Sequence, residues 1–222
     1  QHSQSLHTIF AHIPGLKVIM PTTPYDAKGM LIAAIEDDNP VICLEHRWLF
    51  SLQDNVPEED YRTPLDQARI MRDGTDITLI GVSYMALVCL QVAELLDKHD
   101  ISAEVIDLRC LRPLDPKTLV QSAGKTGRVM IVDHGHIIAG ISAEISALLT
   151  EQLFGQLQCA PVRIGFPDHP TPTSSALADY YYPQSYQITN RCLELMNRCE
   201  RQAPPPLSHR LDQPDTDFQG PF

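Results

Sequence analysis

The sequence predicts an α/β protein in which strands and helices alternate around a parallel sheet covered on both faces. Short runs of β-branched and apolar residues alternate with longer segments of helical period, the order that builds parallel sheets. Two of those runs, residues 76–82 and 128–133, are almost continuously apolar inside their ends, as strands buried on both faces are. The pattern lapses between residues 51 and 73 into the proline-containing, mixed-charge stretch SLQDNVPEEDYRTPLDQARIMRD, so two α/β units stand in series.

Residues 1–47 read as helix, strand, helix, strand. The first helix carries His2, His7 and His12, with strands expected at 16–20 and 41–45. Between them lies a helix over 23–36, capped by Thr22 or Thr23, with Pro24 in its first turn and Asp26 near its positive end. Ala27, Met30, Leu31, Ala34 and Ile35 recur at helical spacing and predict one apolar stripe for one sheet. The chain opens without methionine, halfway through an αβ unit. The first strands of this sheet are therefore expected upstream of Gln1, leaving any site here incomplete.

Residues 51–73 read as a linker with a short strand at 68–72. The second unit, residues 74–200, begins with the strand 76–82 and a helix over 84–98 whose polar residues make one narrow stripe. A strand at 104–108 and a helix over 116–123, started by Asp115 and stopped by Gly124, follow. After the strand 128–133 come a helix over 142–153, a strand at 162–164 and a closing helix over 184–199. Residues 201–222 hold five prolines and no apolar period, and are expected to be disordered.

Composition excludes several functions. Of 222 residues 28 are acidic and 17 basic, a net charge of −11, which repels a phosphate backbone; no nucleic-acid partner is expected. Apolar runs break well short of the ~20 residues of a membrane span, so no membrane partner is expected either. The cysteines at 43, 89, 110, 159, 192 and 199 are far apart and form no Cys-x-x-Cys pair. They read as buried thiols of a reducing, cytoplasmic compartment.

The string QHSQSLH…HIPGLKVIMPTTPYDAKGMLIAAIEDDNPVICLEH resembles the β subunits of 2-oxo acid dehydrogenase E1 components, which are transketolase-like thiamine-diphosphate (ThDP) enzymes. VPEEDY, GTDITLIG, EVIDLRCLRPLD and KTGRVMIVD are similar to the same family, and the likeness runs from Gln1 to about residue 196. It implies that residues 1–50 are the C-terminal half of a ThDP pyrimidine-binding domain. Residues 74–200 would be a transketolase C-terminal-like three-layer α/β domain. It also implies ThDP shared with an E1 α subunit that holds Mg²⁺, a second β subunit, and a lipoyl-bearing E2 or other acyl acceptor. The glutamate that protonates the aminopyrimidine falls upstream of Gln1.

The same likeness places His2 beside the thiazolium as the catalytic candidate; a histidine there also serves as a helix-end packing residue. His7 and His12 are expected in structural or surface roles. It points to K⁺ held by the carbonyls of Ala34 and Ile35 with Asp37 and Asn39, where a helix C-terminus meets an oxygen-rich turn; the plain alternative is an Asp/Asn-Pro turn. Asp133-His134-Gly135-His136 is expected in a loop after a strand end, and no third ligand at supporting spacing favours zinc there. Related β subunits more often show Asp-Glu-Gly at this point. The loop 168–174 is stiffened by prolines, and has Pro-Thr-Ser where dehydrogenases often have Pro-Tyr-Ser. Tyr180, Tyr181 and Tyr182 are expected in core or interface. The function implied is oxidative decarboxylation of a 2-oxo acid with acyl transfer to lipoyl. The alternatives are a split transketolase subunit that moves a ketol unit, and a non-catalytic assembly subunit.

Overall fold

The computed structural model describes residues 3–201 and residue 203. His2 and nearly all of the expected disordered tail lie outside the described residues. The first unit comprises α1 (His7–Ala11), β1 (Lys17–Ile19), α2 (Pro24–Glu36) and β2 (Val41–Cys43), followed by a 3-10 turn at Arg47–Leu49. Then come β3 (Arg69–Arg72), β4 (Ile77–Gly81), α3 (Tyr84–Asp97), β5 (Ala103–Asp107) and β6 (Cys110–Arg112). The chain continues through α4 (Pro116–Thr126), β7 (Val129–His136), α5 (Ile141–Gln152), β8 (Val162–Phe166), α6 (Ser175–Tyr181) and α7 (Ser185–Leu195).

A five-stranded sheet, ordered β3-β5-β4-β7-β8, is the middle layer of a three-layer sandwich. β5, β4, β7 and β8 run parallel, and β3 closes one edge antiparallel to β5. Successive side chains of a strand point to opposite faces. Ile77, Leu79, Met130 and Val132 accordingly pack on α3 and α7, through Val88, Val92, Ile188 and Leu193. Ile80, Val129 and Ile131 pack on α4 and α5, through Leu119, Ile145 and Leu149. The one polar side chain on that second face of β4, Thr78, is satisfied by the hydroxyls of Ser122 and Thr126, each at 2.8 Å.

A smaller sheet, β2-β1-β6, joins the two units. β1 pairs parallel with β2, while β6, from the second unit, adds antiparallel to β1. Sequence reading missed β6 because the chain reverses at Arg109, whose φ is +51°, and sends two short adjacent runs into different sheets. The joint is also ionic. Asp26, fully buried in the first turn of α2, accepts from Arg109 Nη1 at 2.8 Å and from Arg69 Nη1 at 3.2 Å.

Thr23 caps α2 and Pro24 opens it as expected. The stripe differs: Met30 is buried on Ile19, Leu65 and Cys110, whereas Leu31 and Ile35 are 47% and 77% exposed. The helix carries apolar residues on two faces, and the described residues cover one. Residues 57–63 are a strap across α2: Tyr61 stacks on Tyr25 at 4.4 Å and Thr63 N–H donates to Gly29 O at 3.1 Å. A Cβ at Gly29 would strike Thr63 Oγ1, so only glycine admits the strap.

Other boundaries move for local reasons. α1 starts at His7 rather than at His2, its N-cap position being Leu6, which has no side-chain acceptor. α4 runs through Gly124 and stops at Gly127, whose left-handed φ of +69° forms the cap. The closing helix ends at Leu195, with a capping box between Gln184 and Gln187. α6 was unforeseen, because its first residues follow a proline-rich run. Of the cysteines, Cys89, Cys110 and Cys192 are buried, but Cys43 and Cys159 are half-buried and Cys199 is exposed, against the expectation of six buried thiols.

Leu31, Ile35, Phe154 (86% exposed) and Tyr180 (84%) leave much apolar surface in water. Residues 1–222 produced alone are therefore expected to self-associate in analytical ultracentrifugation. A monodisperse preparation that melts cooperatively would contradict this.

Candidate functional site

Ligand sites in open α/β sheets lie beyond the carboxyl ends of the strands. Here the exits of β2, β4 and β7 converge. His46 follows β2, Tyr84 opens α3 directly after β4, and His134 stands near the end of β7. The His134 ring is buried under His46, Trp48, Tyr84, Phe166 and Tyr182, with ring centroids 5.2 to 5.9 Å away. His46 Nδ1 accepts from Trp48 N–H at 3.3 Å, which places the His46 proton on Nε2. His46 Nε2–H then donates to His134 Nδ1 at 3.2 Å, and His134 carries its own proton on Nε2. Burial holds His46 down at about 4, against the pull of Asp133. It holds His134 well below the imidazole range, with His46 and His7 adding to the effect. Both rings are neutral at pH 7, as their roles as acceptors, His134 from His46 and His46 from Trp48 N–H, require.

β7 does not end at Asp133. It continues to His136, which pairs with Phe166 of β8 after a register shift. The expected loop is therefore strand, and its glycines explain why. A Cβ at Gly165 would stand 2.6 Å from Gly135 O, so the two strands close only because Gly165 lacks one. His134 and His136 both contact the Phe166 ring, at 5.2 and 6.0 Å between centroids, and His136 Nδ1 engages Pro167 O at 3.0 Å. Among the described residues no three His, Cys, Asp or Glu side chains gather as a metal site.

Beside this lies a pair that sequence reading missed. His7 Nε2 meets Asp133 Oδ2 at 2.9 Å, both side chains buried. Burial opposes charge on His7, but the adjacent carboxylate outweighs it and holds the imidazole above its ordinary value. The segment before His7 is held as well: Thr171 Oγ1 contacts Ser3 O at 3.4 Å and Tyr181 Oη at 2.9 Å. His7, expected to be structural or surface, is thus half of a buried ion pair, while His12 is exposed. Nothing local announces a partner 126 residues away. The available signal was an aspartate at the end of an apolar strand beside a histidine pair.

At the other end of α2, the Asp37 carboxylate accepts from Lys17 Nζ and from Asn39 N–H and Nδ2–H, the last two at 2.9 Å. Lys17 and then Asn39 hold that carboxyl down at about 2. Ala34 is half-buried and Ile35 exposed, at the helix end where carbonyls lack intrahelical donors. Any cation there would meet backbone oxygens, because the Asp37 side chain is already engaged.

Residues 66–188 match the family model described as transketolase, C-terminal domain, and residues 1–51 match transketolase, pyrimidine binding domain. The chain is 44% identical to the β subunit of acetoin:2,6-dichlorophenolindophenol oxidoreductase from Cupriavidus necator, over 85% of this chain and 56% of that protein. It is 41% identical to the pyruvate dehydrogenase E1 component β subunit of Porphyra purpurea, over 89% and 60%. With the 2-oxoisovalerate dehydrogenase β subunit of Bacillus subtilis it shares 40% identity over 82% and 56%. The chain thus spans little more than half the length of these relatives. A solved split-gene transketolase, an inactive β4 tetramer, superposes with a TM-score of 0.72 at 24% identity, over 86% of this chain and 61% of that one. At that identity the likeness speaks for the fold alone. Since its C-terminal model alone covers more than half of the sequence, this chain belongs to the transketolase family, in the company of E1 β subunits.

Proposed function

We propose that the chain is part of the β subunit of a ThDP-dependent 2-oxo acid dehydrogenase E1, cytoplasmic, acting with an E1 α subunit and a second β subunit and passing its acyl group to lipoyl. The observation that carries this is 40–44% identity to β subunits of such oxidoreductases across most of the chain. When bound, ThDP supplies the electron sink for decarboxylation.

The described residues fit one wall of such a site. Their single buried glutamate, Glu104, lies in the amino-terminal half of β5, away from the strand exits, and is bound by Lys125 Nζ and Gly74 N–H. Buried Asp26 and Asp133 are bound by arginine and histidine. Asp107, the fourth buried carboxyl, keeps an Oδ2 without a partner among the described residues. By the family likeness, the glutamate that grips the aminopyrimidine is assigned to the upstream part of the β polypeptide and Mg²⁺ to the α subunit. By the family likeness this chain contributes His2, which orients an anionic acceptor or intermediate.

K⁺ is proposed at the carbonyls of Ala34, Ile35, Asp37 and Asn39, tying the end of α2 to upstream chain. The complete complex is expected to melt higher in K⁺ than in Na⁺ or choline, since a tenfold excess of ligand over its Kd stabilises by about 1.4 kcal/mol. Identical melting in all three removes the ion.

A substrate panel on the complete α/β complex tests the function. Turnover of pyruvate or 2-oxoisovalerate, with none of ketose phosphates, is the expected result. Ketose-phosphate turnover would make this a split transketolase, and no ThDP-dependent turnover at all would leave an assembly subunit.

A further inference from the structure

We propose that the buried pair His7–Asp133, with the Thr171–Ser3 contact beside it, is a latch that positions residues 3–11 for reaction. This rests on the ThDP reading above, and makes His7 and Asp133 positioning residues.

The site is built for the pair. A Cβ at Gly135 would stand 2.5 Å from Asp133 Oδ2 and 3.0 Å from His7 Cε1, so the strand gives up a side chain where the imidazole enters. His7 is one of only two buried residues of α1, with Ala11, while Leu6 and Ile9 are 50% and 60% exposed. Phe10 and Ala11 pack on the core and Arg112 Nη1 donates to Ala11 O, which hold the end of the helix, while the ion pair holds its first turn. Thr171 fixes the chain again four residues earlier, from the loop after β8. Two anchors on either side of residues 4–6 leave that stretch little freedom.

Charge decides when the latch holds. His7 faces Asp133 and His134 on β7, with His46 behind His134. His134 and His46 are neutral, so the Asp133 carboxylate is the charged partner. The raised pKa of His7 keeps the pair ionic at and below its ordinary value of 6.5, and the charge is lost as pH rises through the higher folded value.

The test is hydrogen exchange of residues 3–11 in the complete α/β complex, against pH, with kcat and KM alongside. Wild type is expected to show excess exchange and a falling kcat as pH rises through the folded value of His7. His7→Gln and Asp133→Asn should each speed exchange about tenfold at pH 6.5, as loss of one charge-assisted hydrogen bond does. Both should lose the alkaline limb and lower kcat while leaving KM within about twofold, the signature of a positioning loss. The double variant should be no worse than either single one. Thr171→Val, outside the pair, should move exchange the same way by less and keep the alkaline limb. Additive single effects, unchanged exchange in either variant, or an alkaline limb that survives in His7→Gln would each overturn the latch. Exchange needs no substrate: a complex with normal latch behaviour and no 2-oxo acid turnover would sink the functional reading alone.

Discussion

Asp26→Ala is expected to cost the complete complex about 3–5 kcal/mol of stability, the range for removing one partner of a buried ion pair. The carboxylate is fully buried and holds three groups: Arg109 Nη1 at 2.8 Å, Arg69 Nη1 at 3.2 Å and Thr23 Oγ1 at 3.0 Å. Of the two guanidiniums, Arg109 is buried and Arg69 is half-exposed. Arg109 has no escape to water, its Nε has no hydrogen-bond partner among the described residues, and its Nη2 reaches only Gln67 O. Without Asp26 its guanidinium loses its one carboxylate hydrogen bond among the described residues, Asp107 lying near but accepting only from its backbone N–H, at the joint where β6 of the second unit pairs with β1 of the first. Asp26→Asn keeps one acceptor oxygen and should cost less. Thermal and urea melts measure both; a loss under about 1 kcal/mol for alanine would show that the joint relaxes to admit water.

Asp107→Asn is expected to do the opposite above neutral pH. Burial, only partly offset by Thr22 and Arg109 and reinforced by Asp26, raises this carboxyl from 3.8 to about 7. Its Oδ2 has no hydrogen-bond partner among the described residues, while Oδ1 accepts from Arg109 N–H at 3.2 Å. The folded chain thus keeps a proton that the unfolded chain sheds. The sign follows: stability is highest below the unfolded value of 3.8 and falls as pH rises to about 7. Asparagine mimics the protonated carboxyl and does not titrate. The variant should match wild type near pH 4 and exceed it at pH 8 by on the order of 2–4 kcal/mol. Destabilisation at pH 8 would mean that the ionised carboxylate is solvated or paired in the working complex.

Periodicity made the second unit legible. β4, α3, β7 and α5 lie within two residues of their expected starts, because strands apolar on both faces and a helix with one polar stripe leave little choice. Periodicity failed where pairing at a distance decides. β7 runs on to His136 because β8 offers partners, and Cys110–Arg112 is a strand only because β1 lies beside it. α2 misled through its own composition, since Leu31 and Ile35 share its helical spacing yet point away from the described sheet. The candidate site was legible in the strand-exit position of Asp133 and His134, but not in His46, His7 or their couplings. His7 finds Asp133, and His46 finds His134, only once the sheet is assembled.

The most direct measurement is calorimetric titration of ThDP, with Mg²⁺ present, into the complete β polypeptide, into its α partner, and into the two together. A pocket shared between two polypeptides predicts saturable one-to-one binding per αβ pair in the mixture, and none to β alone. Saturable binding to β alone, or none to the mixture, would contradict it.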